Sequence, residues 1–188
     1  MKFAPYNEQV IFDEFIQIRK AEIRSADKEL SFERLRVKRD DAAVVLIHNV
    51  EKNRVVLVEQ FRYAVHEHHA DNLTEVPAGK VDDGETPEKA AVRETLEESG
   101  YVLSEDRIEK LGTFYVSPGY TSERFVLFYC PVKSEDKKDK GGGLDEENEY
   151  IKVVEVDAKT FYERIASGDI CDAKTVLAAE LSRKHFLQ

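Results

Sequence analysis

The segment ETPEKAAVRETLEESGY, residues 85–101, decides how the rest of the chain is interpreted. Its pattern predicts a helix over about residues 87–99. Thr86 is a favourable N-cap, Pro87 suits the first helical position, and Gly100 suits the left-handed conformation that often ends a helix. The charges on this helix then raise the question of what so many carboxylates do in so short a span.

Three glutamates of the predicted helix fall on one face. At about 100° per residue, Glu94, Glu97 and Glu98 lie together, and Val92 and Leu96 lie roughly opposite them. We therefore expect Val92 and Leu96 to anchor the helix to a core. On the glutamate face, Glu94 and Glu98 are like charges four residues apart, and such a pair destabilises an isolated helix by about 0.2–0.5 kcal/mol.

Two interpretations of this acidic face are open from the residues alone. It is either a solvated surface on which Arg93 pairs with Glu97, or a carboxylate cluster that binds a hard divalent cation. Mg²⁺ and Mn²⁺ prefer oxygen ligands and readily share phosphate oxygens with a substrate. The residues around the helix are needed to choose between the two.

Composition narrows the class of protein. The chain has 188 residues, 41% of them hydrophobic, with a net charge of −10. This length suits one domain, or one domain with a small appendage, and the acidic balance disfavours nucleic-acid binding. The apolar run of residues 42–47 is too short to span a bilayer. Only Cys130 and Cys171 are present, so we expect a cytoplasmic protein without a disulfide framework.

The pattern of strands and helices predicts two parts. Partial alternation over residues 14–24 and 30–38 indicates a β hairpin, so residues 1–40 are predicted to form an N-terminal β unit. Residues 41–188 are predicted to form the main domain, in which strands rich in β-branched residues alternate with three helices. The charged segment SEDKKDKGGG, residues 134–143, indicates a mobile loop.

The spacing of the fixed residues around the helix resembles the Nudix box, the signature of Nudix hydrolases. The pattern Gly-x5-Glu-x7-Arg-Glu-x2-Glu-Glu-x-Gly is filled by Gly79, Glu85, Arg93, Glu94, Glu97, Glu98 and Gly100. The sequence departs from the family at Thr95, where an aliphatic residue is usual, and at Tyr101. Both departures concern packing more than metal ligands, and so many fixed positions make a chance match improbable.

This resemblance implies an α/β (α+β) fold of the Nudix type, an α/β/α sandwich with a mixed sheet, to which the N-terminal antiparallel β unit is added. It also implies Mg²⁺, or Mn²⁺, as cofactor. The implied metal ligands are Glu94 and Glu98, with Glu97 as a further or water-mediated ligand, and the peptide carbonyl of Ala78. Glu85 and Arg93 are implied to orient the loop and the helix.

Four further segments resemble one branch of the family, the ADP-ribose pyrophosphatases and nucleoside diphosphate sugar hydrolases. They are EQFRYAV (59–65), EVPAGK (75–80), SPGYTSER (117–124) and LDEENEYIKV (144–153). The branch implies cleavage of a nucleoside diphosphate sugar or ADP-ribose to a nucleoside monophosphate and a sugar phosphate. It also implies a homodimer whose N-terminal β unit contributes to dimerisation and substrate recognition.

The same segments supply the remaining candidate residues. By position in the family, Glu147 is the implied catalytic base and Glu149 a further metal ligand, on a loop that three glycines leave free to close over the substrate. Glu146 is the neighbouring alternative for the base. For substrate contacts we single out Arg62, a bidentate donor for the diphosphate or else a surface arginine, and two polar residues of a Pro-Gly turn region, Ser117 and Glu123.

Other functions remain possible on sequence grounds. One is a non-catalytic Nudix-like module that senses a nucleotide, although such a module has no need of a complete set of glutamates. Another is an RNA 5′-end pyrophosphohydrolase, for which the acidic surface is unfavourable. A zinc site at His66, His68 and His69 lacks a second group of ligands at a suitable spacing, so a polar loop is the expected role of these histidines.

Overall fold

The computed structural model describes residues 2–69, 71–144, 146 and 149–186. The chain divides into two compact units. The first unit comprises Met1–Asp41 and Phe114–Arg124, and the second comprises Ala42–Thr113 and Phe125–Gln188. The first unit therefore takes in residues 114–124, which the sequence pattern assigns to the main domain.

Ten strands and three α-helices are found in the described residues. The strands are β1 (Phe3–Asp13), β2 (Gln17–Ser25), β3 (Ser31–Lys38), β4 (Ala42–Asn49), β5 (Arg54–Gln60), β6 (Leu73–Glu75), β7 (Ala78–Lys80), β8 (Glu109–Tyr115), β9 (Arg124–Val132) and β10 (Lys152–Asp157). The helices are α1 (Pro87–Ser99), α2 (Ala158–Ser167) and α3 (Ala173–Ser182). No helix in this part of the chain is long and apolar enough to cross a membrane.

The first unit contains a three-stranded antiparallel sheet in the order β1-β2-β3. The predicted hairpin corresponds to β2 and β3, but the sequence pattern did not predict β1. Its alternation is broken where the register shifts between Tyr6 and Gln9, and Asn7 there has a positive φ of 49°. Such irregularities interrupt the period of two by which strands are recognised in a sequence.

The second unit is built on a mixed sheet. Its main order is β10-β5-β4-β9-β8, with β6 paired to β5 and β7 paired to β4. Strand β4 pairs in parallel with β9 along one side. On its other side it pairs in antiparallel fashion with β7 at its first residues and with β5 at its last residues. The predicted mixed α/β architecture is confirmed.

Helix α1 packs on this sheet through small side chains. Its buried apolar positions are Ala90 and Ala91, with Thr95 also fully buried. The expectation that Leu96 anchors the helix is wrong, because 41% of Leu96 is exposed. Val92 does contact the core. Small residues let the helix backbone approach the sheet closely, and this close approach brings the ends of the glutamate side chains against β7.

Candidate active site

Helix α1 begins and ends as its sequence predicts. The Thr86 side chain accepts a hydrogen bond from the amide of Lys89 at 3.3 Å, with Pro87 in the first position. Gly100 ends the helix in the left-handed conformation, with φ 75°. These caps fix the helical register, and the register determines which glutamates face the sheet.

Arg93 connects the loop before α1 to the acidic face of the helix. It donates to both carboxylate oxygens of Glu85, at 3.2 and 3.0 Å, and to the carbonyl of Lys80 at 2.9 Å. A third nitrogen, Nη1, donates to Glu94 at 2.7 Å and to Glu97 at 3.1 Å. The acidic face is therefore an organised network centred on one guanidinium. The pairing of Arg93 with Glu97, expected for a solvated face, is one part of it.

Glu98 and Glu94 lie against the backbone of β7. Glu98 is only 2% exposed, and its Oε2 accepts a hydrogen bond from the amide of Ala78 at 3.0 Å. The carboxylate of Glu94 occupies the space beside Gly79 where any other residue would place its Cβ. Glycine at position 79 therefore lets the Glu94 carboxylate lie against β7, since a Cβ there would displace that carboxylate.

Glu149 approaches the same two carboxylates from the loop after the glycine run. The amides of Gly142 and Gly143 donate to the carbonyls of Glu98 and Glu97, at 3.0 and 3.1 Å, so these glycines bind the end of α1. A Cβ on Gly143 would lie 2.7 Å from the Cβ of Glu149. The glycines were expected to free the loop, but at 142 and 143 they allow it to dock closely on the helix.

Burial and mutual repulsion perturb this cluster. Burial, with the nearby charges of Glu94 and Glu149, raises the pKa of Glu98 to about 8. Burial also raises the pKa of Glu94 to about 7, against the opposing effect of Arg93, and the charges of Glu97 and Glu149 add smaller contributions in the same direction as burial. The fold therefore brings together carboxylates that are harder to ionise than an exposed glutamate. Groups with such perturbed pKa values are often found at functional sites.

A second network of charges lies close enough to interact with this cluster. Arg62 donates from Nε and Nη2 to the two oxygens of Glu75, both at 2.9 Å. Lys174, at the start of α3, donates to Glu75 Oε2 at 2.6 Å. The positive charge of Arg62 acts on Glu98 and lowers its pKa, against the larger effect of burial. Arg62 thus forms a bidentate ion pair with Glu75 near the carboxylate cluster, and it is not an isolated surface arginine.

The remaining predicted residues are found as follows. Ser117 and Glu123 belong to the first unit, where the Ser117 carbonyl accepts from Thr121 at 3.1 Å and Glu123 lies 3.8 Å from Arg39. Glu147, the predicted base, lies outside the described residues, and its neighbour Glu146 is exposed.

The donor set near α1 suits a hard cation, although it is not preassembled. Within the described ranges, no three or more His, Cys, Asp or Glu side chains are grouped to hold a metal ion. The side chains of Glu94 and Glu97 are instead directed at Arg93. Carboxylate oxygens are the ligands that Mg²⁺ and Mn²⁺ prefer. A cation would compensate the negative charges that burial, and to a smaller extent mutual repulsion, disfavours at Glu94 and Glu98.

Sequence reasoning assigned no role to Glu75 or Lys174. Glu75 lies inside the EVPAGK segment on which the family resemblance partly rests, but no spacing rule links it to Arg62. Lys174 is 99 residues further along the chain than Glu75. The one available signal is a lysine among small residues at the start of a helix, which by itself indicates nothing about its partner.

Comparisons with known proteins bear on the family and on the fold. A family model of the NUDIX domain matches residues 38–168. The GDP-mannose pyrophosphatases of Escherichia coli O1:K1 / APEC and Shigella flexneri serotype 5b (strain 8401) are both 36% identical to this chain over 141 residues, covering 74% of it and 71% of each relative. The crystal structure of an ADP compounds hydrolase matches with a TM-score of 0.77 over 98% of this chain and 94% of that one. Its sequence identity is 18%, so this likeness bears on the fold alone.

Proposed function

Because the chain belongs to the NUDIX family and is a pyrophosphohydrolase of its ADP-ribose and nucleoside diphosphate sugar branch, we propose that it is an Mg²⁺-dependent hydrolase of nucleoside diphosphate sugars or ADP-ribose. The products are a nucleoside monophosphate and a sugar phosphate. The observation that carries this proposal is the convergence of Glu94, Glu98 and Glu149 beside the cationic Arg62.

In this proposal the carboxylates of α1 hold the metal. Glu94 and Glu98 are the main ligands, Glu97 and Glu149 add to them, and the carbonyl of Ala78 completes the set. A bound Mg²⁺ or Mn²⁺ supplies Lewis acidity and neutralises the charge of the diphosphate. Arg93 holds Glu94 and Glu97 from one side, so the acidic face is kept in a narrow range of positions before the metal arrives.

The other residues act on the substrate and on water. Arg62 binds the diphosphate with guanidinium donors that Glu75 does not use. Glu147 accepts a proton from the attacking water while the oxygen of that water bonds to phosphorus and the bridging P–O bond breaks. Ser117 and Glu123 contribute polar contacts to the substrate. Each of these roles follows from the chemistry of the side chain and from its position in the family pattern.

A nucleotide panel tests the proposal. The purified protein is incubated separately with GDP-mannose, ADP-ribose, ADP-glucose and 5′-triphosphorylated RNA, with Mg²⁺ or with EDTA, and the products, including nucleoside monophosphate, are measured by chromatography. We expect release only with Mg²⁺, and a loss of at least about 10²-fold in Glu98→Gln with the fold intact. Binding without turnover would indicate a sensor module, and turnover of 5′-triphosphorylated RNA alone would indicate an RNA pyrophosphohydrolase.

The proposal includes a homodimer formed through the first unit. Strand β1 is exposed along its whole length, yet it carries several large apolar side chains. These are Phe3, Tyr6, Val10, Ile11 and Phe12. Monomeric proteins rarely leave so much adjacent apolar surface uncovered, and a second copy of the chain is the simplest partner to cover it.

A further inference from the structure

We propose that Lys174 is a positioning residue, which acts through the buried carboxylate of Glu75 to hold the Arg62 guanidinium where it receives the substrate diphosphate. The inference rests on the function proposed above, in which Arg62 binds that diphosphate. Lys174 lies in the first turn of α3, far from the NUDIX signature in sequence, and none of the signature residues contacts it among the described interactions.

The carboxylate of Glu75 is shared between two cations. Glu75 is 1% exposed, and it accepts from Arg62 Nε and Nη2 at 2.9 Å each and from Lys174 Nζ at 2.6 Å. The fork occupies two of the five guanidinium N–H donors of Arg62, and the planar group directs the other three elsewhere. The side chain of Arg62 remains 39% exposed, so these donors are accessible to a substrate anion.

Lys174 also keeps a competing acid away from Arg62. Its ammonium lies 3.1 Å from Asp172 Oδ2, and the charge of Asp172 acts on Arg62 as well. Without Lys174, Asp172 and Glu75 would both depend on Arg62 for compensation of their charge. The guanidinium would then be drawn toward two carboxylates, and less of its positive charge would be available to the diphosphate.

The backbone holds Lys174 firmly enough for this role. Asp172 accepts from the amide and the hydroxyl of Thr175, at 3.0 and 2.6 Å, and so caps α3. The Thr175 hydroxyl in turn accepts from the amide of Val76 at 2.9 Å, next to Glu75 on the chain. The start of α3 is thereby bound to the end of β6, and Lys174, only 8% exposed, has little freedom to leave Glu75.

The test compares Lys174→Met, Lys174→Gln and Lys174→Arg with Arg164→Met as control. Arg164 donates to Thr74 at 3.2 Å, so its removal takes a cation from beside β6 without touching Glu75. One readout is kcat and KM for the nucleotide sugar that the wild type hydrolyses best. The other is the ¹⁵Nε–¹Hε NMR signal of Arg62 in the metal-free protein, which needs no catalysis.

We expect Lys174→Met to raise KM about 10-fold, the size of one weakened charge-assisted hydrogen bond, with kcat nearly unchanged. Its Arg62 Nε–H signal should broaden or shift, whereas Lys174→Arg restores both readouts and Arg164→Met leaves both unchanged. In an Arg62→Ala background, Lys174→Met should add nothing to KM. If Lys174→Met does not fold, Lys174→Gln, which keeps a donor and loses the charge, carries the same expectations.

An unchanged KM and Arg62 signal in Lys174→Met, or the same KM effect in the presence and absence of Arg62, would overturn the positioning role. A wild type that hydrolyses no nucleotide, combined with a displaced Arg62 signal in Lys174→Met, would instead overturn the proposed function and support the contact between Lys174, Glu75 and Arg62.

Discussion

At the scale of single residues, Glu98 shows why a cation would suit this site. Buried glutamates ordinarily pair with a positive group in direct contact. Glu98 accepts its hydrogen bond from the neutral amide of Ala78, and the charges of Glu94 and Glu149 act against its ionisation. A carboxylate in these surroundings is poised to exchange its proton for a metal ion, because either one compensates the same charge.

We expect Glu147→Gln to lower the rate constant of the chemical step by about 10²–10⁴, the scale of lost general-base assistance. Substrate affinity should change little, because in the proposed site Arg62 and the α1 glutamates, which hold the diphosphate and the metal, are unaltered. Single-turnover rates and substrate affinity measure the two effects separately. Glu146→Gln is the matched control and should be nearly silent. A slow Glu146 variant beside a fast Glu147 variant would move the base by one position.

The departure from the family pattern at Thr95 should lower the stability of the folded protein. Thr95 is fully buried, and within the described residues its hydroxyl has no hydrogen-bond partner. Thr95→Val keeps the shape and removes the unsatisfied group, so we expect a gain of about 1 kcal/mol in the free energy of unfolding. That gain corresponds to about 2–4 °C in Tm for a chain of this size.

Thr175→Val is the matched control for this substitution. Thr175 is equally buried, but its hydroxyl bonds to both Val76 and Asp172. The same exchange should therefore destabilise the protein there, by about 1–3 kcal/mol. Melting curves of the two variants decide the matter, and a loss of stability in Thr95→Val would show that its hydroxyl is in fact satisfied.

At the scale of elements, the glycine run and α1 form one assembly. The amides of Gly142 and Gly143 satisfy carbonyls at the C-terminal end of α1, which a helix otherwise leaves without partners. The amide of Ile151 donates to the carbonyl of Gly142 at 3.2 Å, so the chain returns to the same point after Glu149. The loop therefore positions Glu149 relative to the helix that carries the other carboxylates.

Gly143→Ala should separate this docking from ordinary backbone strain. Gly143 has φ 77° and lies against Glu149, whereas Gly168 has φ 82° with open space where its Cβ would be. Both substitutions place an alanine in the left-handed backbone conformation, which destabilises the protein by about 1–2 kcal/mol. Only Gly143→Ala should also displace Glu149, so we expect its kcat to fall at least about 10-fold further. Equal kcat in the two variants at matched stability would contradict the role of this contact.

At the scale of the whole molecule, the raised pKa values of the site link stability to pH. The pKa values of Glu94 and Glu98 are raised to about 7 and about 8, so the folded protein holds these protons more tightly than the unfolded chain does. Their contribution to stability is complete below the ordinary glutamate pKa and is lost as the pH rises through about 7–8. We expect the Tm of the metal-free protein to fall by several degrees between pH 6 and pH 9.

In the proposed site Mg²⁺ binds the ionised carboxylates of the folded protein and not those of the unfolded chain, so Mg²⁺ should reduce this fall. Glu98→Gln removes the main titrating group and should flatten the dependence of Tm on pH even without metal. Thermal melts at several pH values, with EDTA and with Mg²⁺, test both statements. A Tm that rises between pH 6 and pH 9 in EDTA would contradict the assignment of these pKa values.

The exposed face of β1 predicts the oligomeric state. We expect sedimentation equilibrium to show a dimer of the wild type, and Ile11→Glu to shift the population to monomer, because a charge at an apolar interface is desolvated without a partner. Glu29→Lys, a charge change in the turn between β2 and β3, is the control and should leave the dimer intact. A wild type that is monomeric at all accessible concentrations would refute the dimer.

The sequence by itself determined the local features of the site. Helix α1 has the predicted bounds because Thr86, Pro87 and Gly100 act within one turn of the chain, and the family follows from the spacing of fixed residues over 79–100. The family in turn implied the mixed α/β fold. Interactions of this range depend on the order of neighbouring residues, which a sequence displays directly.

Only the tertiary structure decided which side chains share a partner. In the structure Leu96 is exposed, and the small residues Ala90, Ala91 and Thr95 are buried in its place. The distance between α1 and the sheet depends on how side chains pack, and not on hydrophobicity alone. The tertiary structure also placed Lys174 on Glu75, across 99 residues of chain. Such contacts depend on how separate elements meet in space, and the periodicity of any one element carries no information about the side chains of another.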